Sequence, residues 1–231
     1  MKALLRPALA SLLLASPALA NIITEPPRHY SFAYTLADLE DPPQSFALAV
    51  SDSAITSLTQ VRVGLQLSGA TPGSGFASEM FVSLTKDFSL TSVLLNQVGI
   101  GAGDPIGHGY DGWNVTFDDV SGAGDIHQAS LVAGILGGVW QADGRLNPAD
   151  SSRPAGLGVF AGVPGNGSWH LNVADLELGG TMRLTGWSLI LTGEAGDIPL
   201  IPEGGTGGGG VFIAGAVMVG LWRRARPNAR N

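Results

Sequence analysis

Along the middle of the chain, apolar residues recur at every second position rather than every third or fourth. Ser57–Ser68 reads S-L-T-Q-V-R-V-G-L-Q-L-S, with Leu58, Val61, Val63, Leu65 and Leu67 apolar. That period, close to two, is the pattern of a strand with one buried face. Phe81–Leu84, Val93–Leu95, Asn114–Phe117, Trp169–Val173 and Trp187–Leu191 read likewise. Gly, Pro, Asn and Asp separate them at Ala70–Gly75, Gly99–Gly112, Ser121–Asp125, Val163–Gly167 and Gly179–Gly180, which marks turns. No middle stretch combines helical periodicity with caps. Many short strands joined by Gly-rich turns predict an all-β fold, a jelly-roll-like antiparallel β-sandwich. Its body is expected at 55–193, after a lead-in with the first strands at 21–54. Asn166-Gly167 is the strongest hairpin signal, since both residues tolerate positive φ. Trp169 and Trp187 are expected to fill the space between sheets, with sugar stacking as the alternative.

The pattern changes at both ends. Residues 1–20 have the layout of a signal peptide: Lys2 and Arg6, a short apolar run from Ala8 to Ala15, then Ala18-Leu19-Ala20 as a small-x-small cleavage site. The run is shorter than the ~20 residues of a membrane span. Cleavage would leave Asn21 as the first mature residue. A Pro/Gly linker is expected at 194–210. Val211 to Trp222 is then apolar apart from glycine, followed by Arg223-Arg224-Ala225-Arg226. Twelve helical residues cover ~18 Å, against a hydrocarbon core of ~30 Å. Residues 211–231 therefore read as a short hydrophobic helix with an Arg cluster, a marginal span whose arginines stay on the cytoplasmic side.

Charge sharpens this division. The 231 residues carry 19 acidic and 12 basic side chains, a formal −7. All 19 acids lie between Glu25 and Glu203 beside only six basic residues, so the middle carries −13 between two positive ends. No basic balance supports nucleic-acid binding. The absence of Cys excludes a disulfide framework, a zinc ribbon, an Fe–S site and a thiol nucleophile. Charged residues are 13% of the chain, about half the usual ~25%. With 34 Gly and 14 Pro, much of the rest is turn and linker.

Two resemblances follow from particular residues. Ile201-Pro202-Glu203, then Val211–Trp222, then Arg223-Arg224 resembles the PEP-CTERM sorting signal, with Gly204 where that family usually has Pro. The resemblance implies recognition of Pro202, Glu203, Arg223 and Arg224 by an exosortase-type membrane protease. Export would use the Sec translocon and signal peptidase, with transient C-terminal contact with the membrane, and would end at the bacterial envelope or outside it. A plain C-terminal anchor is the alternative.

In the middle, Phe160-Ala161-Gly162, Gly165-Asn166-Gly167-Ser168-Trp169-His170-Leu171-Asn172-Val173-Ala174-Asp175 and Leu184-Thr185-Gly186-Trp187-Ser188-Leu189-Ile190-Leu191 resemble the closing segments of the P domain (P/Homo B) of proprotein convertases. Upstream, Asn114-Val115-Thr116-Phe117-Asp118-Asp119 resembles that family's N-x-T-F-D-D segment, with Ile126-His127 after it. Trp140–Leu146 resembles its Y-x-P-x-x-P-L stretch without the prolines, and Leu94–Gly99 resembles a segment before that. The resemblance spans most of 55–193. It implies a non-catalytic domain, one that in convertases stabilises a separate protease domain.

Candidate chemistry is sparse. The histidines His29, His108, His127 and His170 lack zinc-site spacing. The residues before Ser57 are too few for a subtilisin-like catalytic domain, and the middle has no G-x-S-x-G elbow. The Gly-rich 101–112 stretch lacks the Lys of a phosphate loop. Calcium favours several carboxylate and carbonyl oxygens. Asp104, Asp111, Asp118 and Asp119 are its candidate ligands, since some P domains bind calcium. No other cofactor is expected. The functional expectation is an exported structural or interaction module with an unknown extracellular ligand. A carbohydrate- or ligand-binding module and a hydrolase accessory or cryptic hydrolase are the alternatives.

Overall fold

The computed structural model describes residues 21–196 except 40, 41, 72, 74, 102, 103, 105 and 130–133. The predicted signal peptide, the linker beyond Gly196 and the C-terminal helix lie outside the described residues, as do Pro202, Glu203, Arg223 and Arg224.

Among the described residues are ten strands and three short 3-10 turns. The strands are β1 (Asn21–Thr24), β2 (Arg28–Thr35), β3 (Gln44–Val50), β4 (Ile55–Gly69), β5 (Met80–Lys86), β6 (Leu90–Asn96), β7 (Gly112–Phe117), β8 (Ile135–Trp140), β9 (Gly167–Asp175) and β10 (Met182–Ala195). They form a sandwich of two sheets. The larger runs β10-β4-β7-β8, with β2 and β1 side by side on the free edge of β10. The smaller runs β3-β9-β5-β6. The all-β sandwich is thus the architecture of the chain.

Alternation along each strand determines which side chains enter the core. On β4, Val61, Val63, Leu65 and Leu67 point inward while Arg62, Gly64, Gln66 and Ser68 face out. Trp113, Val115 and Phe117 of β7 and Leu189 and Leu191 of β10 continue that inner layer. Val82 and Leu84 of β5 and Trp169, Leu171 and Val173 of β9 meet them from the other sheet. Each such side chain contributes about 1.5–3 kcal/mol by leaving water. Trp113, Trp169 and Trp187 are all buried, as core packing requires, and Trp140 is half-buried with its indole N–H on the carbonyl of Gly137. At the edge shared by β2 and β3, Phe32 and Tyr34 pack on Phe46 and close the gap between sheets.

Two details differ from the sequence reading. Pairing is antiparallel except between β7 and β8, which run parallel. The connection 118–134 crosses over instead of turning back, as parallel neighbours require. Asn166-Gly167 is not a hairpin turn, because the strand before it, β8, belongs to the other sheet. The Asn166 amide instead accepts from the backbone N–H of Ser53 and donates to its carbonyl, pinning the approach to β4. Gly167 has φ +146°, and a Cβ there would lie 2.5 Å from Lys86 Nζ.

Candidate functional site

Three places in the sandwich bring chemically capable side chains together. The first is a buried charge network at the end of the sheets where β6, the loop after β7 and the loop after β8 meet. Asp143 is fully buried. Its Oδ2 lies 2.9 Å from His127 Nδ1 and accepts from the backbone N–H of Asn96 at 3.1 Å. Its Oδ1 accepts from Arg145 Nη1 at 2.9 Å. Arg145 also forks onto Asp125, at 2.6 Å through Nη2 and 3.1 Å through Nη1. Its Nε donates to the carbonyl of Asp150. Arg153 adds donations to the carbonyls of Asp143 and Ala142 and to the Gln141 side chain.

His127 Nε2 lies 2.9 Å from the carbonyl oxygen of Ile100. A carbonyl and an ionised carboxylate only accept, so both ring nitrogens must carry protons, and the ring is a cation. Burial alone would push its pKa down. The hydrogen bonds to Asp143 and Ile100 and the charge of Asp143 outweigh burial and hold the pKa up. Burial likewise pushes Asp125 up, but the Arg145 hydrogen bonds and neighbouring guanidinium charges bring it below the usual carboxylate value. With both His127 nitrogens occupied, the Asp143–His127 pair is a fastener between loops and has no free base for chemistry.

The second place is on β9, where Ser168 and His170 face the same side. Ser168 Oγ is 2.8 Å from His170 Nε2. His170 Nδ1 meets the hydroxyl of Ser45 at 3.3 Å, and Phe88 stacks on the ring with centroids 4.3 Å apart. The nearby Asp87 accepts the backbone N–H of Ser168 and binds Lys86, and the Lys86 bond is the main cause of its lowered pKa. A Ser–His pair is present, but its imidazole is oriented by a hydroxyl rather than a carboxylate.

The third is an open cleft of about 200 Å³ on the outer face of the larger sheet. Its floor is the backbone of β10 and β4 at Gly186 and Gly64. A Cβ on Gly64 would lie 2.4 Å from Ser188 Oγ, so a larger residue there would displace that hydroxyl. His29 and Ser31 of β2, Ser188 of β10, Gln66 of β4, and Asn114 and Thr116 of β7 line it. None of these six side chains is hydrogen-bonded to any described residue. No lining residue is Asp, Glu, Lys or Arg.

Of the calcium candidates, Asp119 borders the first site, and the others are held separately. Asp118 Oδ1 accepts from Gln60 Nε2 at 2.7 Å and from the backbone N–H of Val120 at 3.0 Å. Asp119 binds the N–H of Ala142 with one oxygen and that of Leu157 with the other. Asp104 is exposed and closes its own turn onto Ile106 and Gly107. Asp111 is half-buried beside β7, with its backbone bonded to Gly69 and Gly134. Among the described residues, no three His, Asp or Glu side chains converge as a metal cage. Nor is any described helix long and apolar enough to cross a membrane.

Ile126-His127 and Trp140–Leu146 interlock through His127 and Asp143, a contact that no spacing in the sequence implies. The available signal was Asp125-Ile126-His127 and Asp143-Gly144-Arg145, two acid-x-base triplets in a charge-poor chain. The cleft had no comparable signal.

No family model matches the chain, and no curated protein matches it. Among solved structures, the serine protease of Aeromonas sobria is similar at 15% identity and a TM-score of 0.44, over 76% of this chain and 28% of that one. The complex of the Aeromonas sobria serine protease with the chaperone is similar at 15% identity and the same TM-score, over 77% of this chain and 28% of that one. The chain thus spans less than a third of the length of those proteins.

Proposed function

We propose that the chain is an exported, non-catalytic P-domain-like module that serves a structural or interaction role at the bacterial envelope or outside it. It is delivered through the Sec translocon and signal peptidase and sorted by its PEP-CTERM-like tail. One observation carries this reading. The segments that resemble a P domain meet in one place, where Asp119 binds the N–H of Ala142 and the pair His127–Asp143 joins the segments around Ile126 and Trp140. The polar groups there hold loops together. At the Ser168–His170 pair, no carboxylate orients the imidazole.

Mass spectrometry of the protein recovered from its own host tests the route. Ends at Asn21 and just after Pro202-Glu203 are expected. An intact Arg223-Arg224 tail would overturn sorting in favour of a plain anchor, and an intact Met1–Ala20 segment would overturn export by signal cleavage. A serine-reactive fluorophosphonate is expected to leave Ser168 unlabelled, and labelling would overturn the non-catalytic reading.

The cleft across β2, β10, β4 and β7 favours a second reading, in which the module binds an extracellular ligand. Calcium as a stabiliser belongs to that second reading and is tested by melting with and without the ion.

A further inference from the structure

We infer that the outer-face cleft is a binding site for a neutral polysaccharide, gripped by hydrogen bonds rather than by aromatic stacking. The inference rests on the reading of the chain as an exported interaction module, and supplies the ligand class for it.

Four observations select that class. His29, Ser31, Gln66, Asn114, Thr116 and Ser188 converge with donors and acceptors that no described residue uses. Sugar hydroxyls donate and accept at once, and a side-chain amide can bind two neighbouring hydroxyls together. The lining carries no Lys or Arg to hold a phosphate or carboxylate, and no Asp or Glu to hold a cation. The lining also includes Tyr30, Leu65, Val115 and Trp187, but Leu65, Val115 and Trp187 are buried, and the glycines Gly64 and Gly186 present only backbone, which disfavours a lipid or hydrophobic peptide. Finally, the site lies on the face of the sheet, from β2 to β7. Its floor strands β10 and β4 are paired on both sides, so an added peptide strand would find a partner only at the outer edge of β2, away from the floor.

The cleft of about 200 Å³ is small but open, so a chain can pass through it with its neighbouring units outside. Four adjacent strands at ~4.8 Å spacing give a track about 14 Å wide, open along the sheet face. Trp113, Trp169 and Trp187 are buried, and Tyr30, 40% exposed at the cleft, has its ring packed edge-on to Phe32. Recognition therefore falls to the polar rim.

The test is binding of the full chain, purified from its host, to a β-1,3-glucan, a β-1,4-glucan, an α-1,6-glucan and the acidic polymer alginate, followed by affinity electrophoresis and calorimetry. Binding to at least one neutral glucan, and not selectively to alginate, is expected. Asn114→Ala and Gln66→Ala should each weaken it about five- to tenfold, the equivalent of one neutral hydrogen bond. Because both side chains are exposed, Tm should not move, and Ser31→Arg at the cleft edge should give the same loss. Phe88→Ala, at the exposed hairpin of the other sheet, should leave binding unchanged. Binding to none of the neutral glucans, binding only to alginate, or binding lost with Phe88→Ala and kept in the cleft variants would each overturn the inference. A chain trimmed at both ends that binds none of them defeats the cleft alone. A chain that binds but keeps both terminal segments defeats the export reading alone.

Discussion

The His127 imidazole lies 2.9 Å from the buried carboxylate of Asp143, and its second nitrogen is committed to the carbonyl of Ile100. The ring is therefore held as a cation inside the protein, and its proton is part of the fold. An imidazole whose folded pKa is raised adds stability that is fully present below the unfolded value near 6.5. That contribution is lost as the pH climbs through the folded value. Urea unfolding across the neutral and mildly alkaline range should show stability falling as pH rises above about 6.5. His127→Gln should be less stable at pH 6 and should lose most of the slope. A slope unchanged in His127→Gln would assign it to another group.

Asp143 serves His127, Arg145 and the N–H of Asn96 together. Asp143→Ala leaves the imidazolium without its counter-charge and Arg145 with Asp125 alone. The expected loss is about 3 kcal/mol, the lower end for a broken buried pair. Asp143→Asn keeps one acceptor and should lose less. Denaturant midpoints of the two variants check the order.

Asp119 accepts a backbone N–H on each oxygen, from Ala142 and Leu157. Asp119→Ala strands both donors, at about 1–3 kcal/mol each where they stay shielded from water. Asp119 is thus occupied by protein donors on both oxygens, and Asp118 on Oδ1. Adding calcium should leave Tm unchanged, whereas a rise with concentration would make these carboxylates ligands. Differential scanning calorimetry of the parent and Asp119→Ala, with calcium and with chelator, reads both effects.

Trp169 is fully buried against Phe160, donates its indole N–H to Gly165 at 3.1 Å, and has Lys86 Nζ 5.6 Å from its ring centre. Trp169→Ala should cost about 3–5 kcal/mol. Trp169→Phe should cost less, since it keeps an aromatic ring and loses the hydrogen bond. If both substitutions left the unfolding midpoint in place, the ring would not be part of the core.

Much of the sandwich was legible because burial on one face imprints a period of two. Leu58 to Leu67 announced β4, and Trp187 to Leu191 announced the middle of β10. β8 was not legible: its Gly137-Gly138 pair and exposed Val139 blur the alternation, as befits a sheet edge. The buried network was half legible. Its acids and bases stood in quoted segments, but the contacts between Asp125 and Arg145 or His127 and Asp143 join loops, which obey no period. The cleft was illegible for a different reason. Gly64 and Gly186 look like ordinary weak strand positions until β2 and β7 bring their polar side chains alongside.

The strand that reaches the ribosome exit last is the one most of the larger sheet waits for. β10 pairs with β1, β2 and β4, so three earlier strands have no permanent neighbour on that side until Met182–Ala195 emerges. Such long-range pairing makes folding slow and late. In a chain of this order the larger sheet closes along β1, β2 and β4 in one step, when β10 arrives.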